Sequence, residues 1–92
     1  MTRALPTIDS ASLVRWAFFR GTRALTCEVR ATDRGKFDVC VVPLWDVNAA
    51  VIEPYATAGA ALRRHAEIAA AFRQGGWVVA RQTPRRGTEV AA

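Results

Sequence analysis

The chain has 92 residues, of which 51% are apolar and 23% charged, a balance that fits one globular domain and excludes a disordered tail or a disulfide-dense scaffold. A domain this small buries only roughly 60% of the surface its unfolded chain exposes, which leaves one core and little room for a deep, dry active site, so composition argues against a self-sufficient enzyme. The net charge of +5 is spread along the chain rather than massed in one block, and twelve of the thirteen basic residues are arginine, with Lys36 the single lysine.

Met1 to Ser10 lacks the basic start and unbroken apolar core of a signal peptide, and no apolar run approaches the ~20 residues that span a membrane. A cytoplasmic protein with no membrane contact is expected, its residues 1–11 forming a flexible arm. Leu13 to Arg20 alternates, with Val14, Trp16 and Phe18 on one face, and Ala24 to Ala31 alternates likewise through Leu25, Cys27, Val29 and Ala31. Gly21-Thr22 between them suits a two-residue type II′ turn, whose first central residue needs positive φ. That loop pairs Phe18 with Leu25, Trp16 with Cys27 and Val14 with Val29, and sets Arg15 opposite Glu28 on the other face. Asp33-Arg34-Gly35 fits a three-residue loop with a glycine bulge, pairing Ala31 with Phe37, Val29 with Val39, Cys27 with Val41, Arg30 with Asp38 and Glu28 with Cys40. A slip by one residue would drive Asp38 into the core. The two cysteines then face opposite ways, which precludes a disulfide between them.

Val51 to Tyr55 reads as a short fourth strand, placed at an edge because Pro54 has no N–H to give a ladder. Keeping Glu53 out of the core turns Ile52 inward and Val51 and Tyr55 outward. Thr57 is the expected N-cap of a helix to about Gln74, closed by Gly75-Gly76. Its apolar stripe is Ala61, Leu62, His65, Ile68, Ala69 and Phe72, opposite Arg63, Arg64, Glu67, Arg73 and Gln74. Trp77 closes one end of the core, Val78 to Arg81 is a fifth strand whose neighbour the pattern does not name, and residues 82–92 read as a mobile tail. The expected fold class is α+β: an antiparallel meander of four strands, or five, with one helix on one face, in a single domain over residues 12–81.

Three constellations carry chemistry. Cys27 and His65 both point toward the core, where a thiol beside an imidazole can become a nucleophile, but free cysteine is usually inert core and no orienting carboxylate is in evidence. One histidine and two diverging cysteines do not make a metal site, and Ala58-Gly59-Ala60 lacks the spacing and lysine of a phosphate cradle, so no cofactor or metal is expected. The open sheet face and first hairpin tip carry Arg15, Phe19, Arg20, Arg23 and Arg30, cations beside a stacking ring as in single-strand binding, although Arg15 and Arg30 each oppose a carboxylate. The same face carries Leu13, Ala17, Phe19, Ala24, Thr26, Val42 and Leu44, with Tyr55 nearby, an apolar group of a kind usually covered by another chain. The N-terminal arm, Leu5 to Ile8, is the competing cover.

The order of four strands and a helix, with Gly-Thr and Asp-Arg-Gly turns, the helix segment RRHAEIAAAF and the ending Gly75-Gly76-Trp77, resembles a group of short uncharacterised bacterial proteins, a likeness that implies no activity. The element order is also similar to the Pur-alpha and positive-cofactor-4 types of single-strand-binding fold, and this similarity implies dimerisation and nucleic-acid binding on the sheet. The expectation is a non-enzymatic interaction or regulatory module that pairs with a second copy or another protein, with single-stranded nucleic-acid binding as the alternative.

Overall fold

The computed structural model describes residues 12–82, with side chains for residues 12–80; the expected arm over 1–11 and the tail from 83 onward lie outside the described residues. The chain forms β1 (Ser12–Arg20), β2 (Arg23–Ala31), β3 (Phe37–Pro43), a single 3-10 turn (Val47–Ala49), β4 (Val51–Tyr55), α1 (Ala58–Gln74) and β5 (Val78–Gln82). All strand pairs are antiparallel and the sheet order is β4-β3-β2-β1-β5. This is an α+β fold, a five-stranded sheet with one helix against one face. β5 finds its partner in β1, the neighbour that the alternation pattern left unnamed, and extends one residue further than expected, to Gln82.

Both tight turns form as their glycines require. Gly21 has φ +63° and Thr22 keeps a negative φ, as a type II′ turn demands, and Gly35 has φ +77° in the second loop. The registers follow: Trp16 pairs with Cys27, Phe18 with Leu25, Val29 with Val39 and Cys27 with Val41. Phe18, Leu25, Cys27, Val29 and Val39 therefore share one face and are buried there, against Ala61 and Ala69 of α1. Both cysteines are free and point to opposite faces. Two bulges interrupt the ladders: Leu13 is the extra residue on β1 between Ser12 and Val14, and Ala80 is the extra one on β5 between the partners of Phe18 and Ala17.

The helix is capped at both ends. The Thr57 hydroxyl accepts a hydrogen bond from the Ala60 N–H at 3.1 Å. At the other end the Trp77 N–H donates to the Phe72 carbonyl and the Gly76 N–H to that of Arg73, with Gly76 at φ +94° and the Phe72 and Trp77 rings 5.9 Å apart. Those paired bonds, the left-handed glycine and the apolar contact across it are the Schellman arrangement.

Two expectations for this part of the chain are corrected. Tyr55 pairs with Phe37, Glu53 with Val39 and Val51 with Val41, so these three residues lie on the helix face, while Ile52, opposite Cys40, lies on the open face. Glu53 avoids burial because β4 is an edge strand at the margin of the helix footprint, where Arg64 reaches over to it. On the helix, Leu62 is 41% exposed rather than part of the packed stripe, and Arg64 rather than Leu62 flanks it on the side toward β4.

Truncating the fully buried Phe18 to alanine is expected to cost about 3–5 kcal/mol in urea unfolding. The glycines should separate in the same assay. Gly76→Ala loses about 1 kcal/mol, because its φ and not its free space excludes a side chain, whereas Gly59→Ala, in the first turn of the helix with open space around it, gains a few tenths.

Candidate functional site

The centre of the core holds the first pair of reactive residues. The Nε2–H of His65 donates to the backbone carbonyl of Cys27 at 3.1 Å, and the ring stands edge-on to Trp16 at 5.6 Å between centroids. Burial lowers the His65 pKa and keeps the ring neutral, outweighing the opposing effect of its bond to the carbonyl. Burial likewise pushes the Cys27 thiol up to about 12, with nearby Cys40 adding to the rise. The histidine contacts the backbone of Cys27, and the thiol is held in its protonated, unreactive form. Among the described residues no three His, Cys, Asp or Glu side chains converge as metal ligands.

A second polar group lies where α1 meets β4. Glu53 accepts a hydrogen bond from Arg64 Nε at 3.0 Å and another from the Tyr55 hydroxyl at 2.9 Å, while Arg64 Nη1 reaches Glu67 at 3.2 Å. The Arg64 bond, then the Tyr55 bond, lowers the Glu53 pKa, and the bond to Glu53 raises that of Tyr55. With each charge answered by another, this group acts as a fastener between helix and edge strand.

The open face is divided. Read across the sheet, one row runs Val78, Phe19, Ala24 and then Leu44, whose N–H donates to the Ala24 carbonyl at 2.9 Å. The next row contains Arg81, Ala17, Thr26 and Val42, and the row after it Arg15, Glu28, Cys40 and Ile52. Arg30, Asp38 and Pro54 make the last. Apart from Arg81 at the β5 edge, the half near the first turn is thus apolar, and the other half carries the charged pairs. Phe19 is 50% exposed, Leu44 52% and Val78 65%, whereas Thr26, a short side chain on the central strand, is buried. The group expected from the alternation loses two members: Tyr55 faces the helix, and Leu13 sits in the bulge beside the charged half. It gains Val78, delivered by β5.

The cations expected to act together are split between faces. Arg15 and Arg30 share the open face with Phe19, and among the described residues neither forms an ion pair within 4.0 Å, although Glu28 and Asp38 are their register partners. The Arg30 Nε is buried without a hydrogen-bond partner. Arg20 and Arg23, cross-strand partners at the first turn, follow the parity of Phe18 and Leu25 onto the helix face. There Arg20 lies over the Trp77 ring at 4.9 Å and Arg23 over the Trp45 ring at 4.8 Å, and the two indoles are stacked 14° from parallel with centroids 6.1 Å apart. Arg20 Nη1 also donates to the Gly75 carbonyl at 2.9 Å, at the end of the helix. Trp45 escaped the reading by alternation because it follows the last strand residue of β3. Its parity with Leu25 and Pro43 was the available signal.

No family model, curated protein or solved structure matches the chain. No helix among the described residues is long and apolar enough to cross a membrane.

His65 has a lower pKa folded than unfolded, so its contribution is complete above the unfolded value of about 6.5 and is lost as pH falls below it, because the unfolded chain takes up the proton first. Thermal unfolding of the wild type should therefore drop in midpoint between pH 7.5 and pH 5.5, and His65→Gln should flatten that interval. A further fall below the ordinary glutamate value of 4.5 should persist in the variant, because the lowered Glu53 pKa makes its contribution complete above that value and lost as the folded carboxylate takes up a proton. In a thiol titration with an aromatic disulfide at pH 8, Cys27 should react only after denaturant is added; immediate reaction of both thiols would contradict the buried placement.

Proposed function

We propose that the protein is a non-enzymatic interaction module that pairs with a second copy of itself through the apolar half of the open sheet face. The observation that carries this reading is the row Val78–Phe19–Ala24–Leu44, in which three large apolar side chains, each at least half exposed, and the small Ala24 share one line across β5, β1, β2 and the residue that follows β3. A contiguous apolar group on one side of a sheet otherwise packed only on its other side is the common signature of a buried contact. The charged half supports a second copy as the occupant. Arg15 and Glu28, and Arg30 and Asp38, place both signs on the same surface without joining them within 4.0 Å, so a two-fold related copy can present each charge with its opposite. Two free thiols held on opposite faces support a reducing, cytoplasmic location.

Sizing by analytical ultracentrifugation across a concentration series tests the assembly. The wild type should sediment as a dimer at tens of micromolar, and Phe19→Asp as a monomer with unchanged circular dichroism, because Phe19 touches solvent and not the core. Trp16→Asp, on the helix side of the same strand, should instead unfold the chain. A wild type that remains monomeric throughout the series overturns the proposal.

A further inference from the structure

Arg20 and Arg23 are held in a way that surface arginines seldom are. The guanidinium carbon of each lies over its own indole, 4.9 Å from the Trp77 ring centre and 4.8 Å from that of Trp45, and the two indoles brace one another. Stacking occupies a guanidinium's faces and leaves its N–H edge free in the plane, where the fork matches an oxyanion. It also removes much of the rotamer freedom that an arginine otherwise loses on binding. Among the described residues neither arginine has a carboxylate within 4.0 Å. Their strands join through the first turn, so the two arginines are cross-strand partners on one face of one hairpin. Arg20 uses one nitrogen on the Gly75 carbonyl and keeps its others; Asp46, next to Trp45, forms no ion pair among the described residues.

We propose that this corner, on the face of the sheet opposite the contact between copies, is a phosphate-binding site for single-stranded nucleic acid, with Arg20 and Arg23 on successive phosphates of the strand. Charge complementarity selects a polyanion: the chain carries +5, and the first turn places two cations, without an ion pair among the described residues, where the sheet ends. The indoles select a single strand over a duplex. Trp45 is 47% exposed, and an unstacked base can lie against its rim beside the phosphate that Arg23 holds, which a base locked in a duplex cannot do. The site does not depend on self-association, since none of its residues lies on the open face.

Anisotropy titration of a fluorescein-labelled oligothymidylate tests this directly. The wild type should bind, with the logarithm of affinity falling against the logarithm of salt at a slope of about −1.4, as two neutralised phosphates on a single strand require. Arg20→Gln with Arg23→Gln should weaken binding at least tenfold, and Arg23→Gln alone, which spares the bond to Gly75, several-fold. Arg23→Lys should fail to restore affinity, because lysine keeps the charge and loses both fork and stack. Arg34→Gln with Lys36→Gln, removing the same charge from the other hairpin tip, should bind as wild type. Equal losses in the two double variants, full affinity in Arg23→Lys, tighter binding to a duplex of the same length, or displacement by millimolar inorganic phosphate would each overturn the proposal.

Discussion

Register in β1, β2 and β3 is the constraint on which the rest of the molecule depends, and two left-handed glycines set it. Side chains on a strand alternate faces, so a slip of one residue at either turn would exchange the surfaces of a whole strand. With Gly21 and Gly35 in place, Phe18, Leu25, Cys27, Val29 and Val39 meet on one side. The local turn chemistry and the long-range apolar pattern specify the same pairing independently. A chain with so small a core depends on that agreement, because it has little burial elsewhere with which to offset a mismatch.

The helix takes its orientation from this sheet. Small residues at Ala61 and Ala69 let it approach closely, and His65 between them fixes its rotation by donating to the Cys27 carbonyl. An imidazole is a costly group to bury, and the hydrogen bond offsets part of that cost. With residue 65 pointing into the sheet, its neighbour Arg64 falls on the flank toward β4, where Glu53 waits. A residue pair that resembles catalytic chemistry in the sequence is thus consumed in setting one helix on one strand, and the ion pair at the margin follows from it.

How much of this could be read from residues alone depended on whether neighbours in sequence were also neighbours in space. The hairpin registers were legible because each was set by a short loop and tested by some eight residues of alternation. The face of β4 departs from its pattern for a physical reason: excluding Glu53 from the core assumes that the strand has core above it, and an edge strand has not. Counting apolar side chains, two at Val51 and Tyr55 against one at Ile52, points the right way. The partner of β5 was illegible because a helix separates it from the sheet, and no turn rule spans that distance. The candidate surfaces suffered from the same gap, since Val78 joins Phe19, and Trp77 joins Trp45, only after β5 has docked.

Both surfaces trace to the stop signal of the helix. Gly76 reverses the chain, folding Trp77 back over Phe72, and the extended backbone that follows alternates at once. Consecutive residues therefore serve opposite sides: Trp77 enters the stack with Trp45 and supports Arg20, while Val78 pairs with Phe19 and completes the exposed apolar row. Had the helix ended one residue later, that parity would reverse, sending the valine into the aromatic cluster and the tryptophan onto the open face. The position of one left-handed glycine thus couples the exposed apolar row with the arginine–indole corner and sets the two on opposite faces of the sheet.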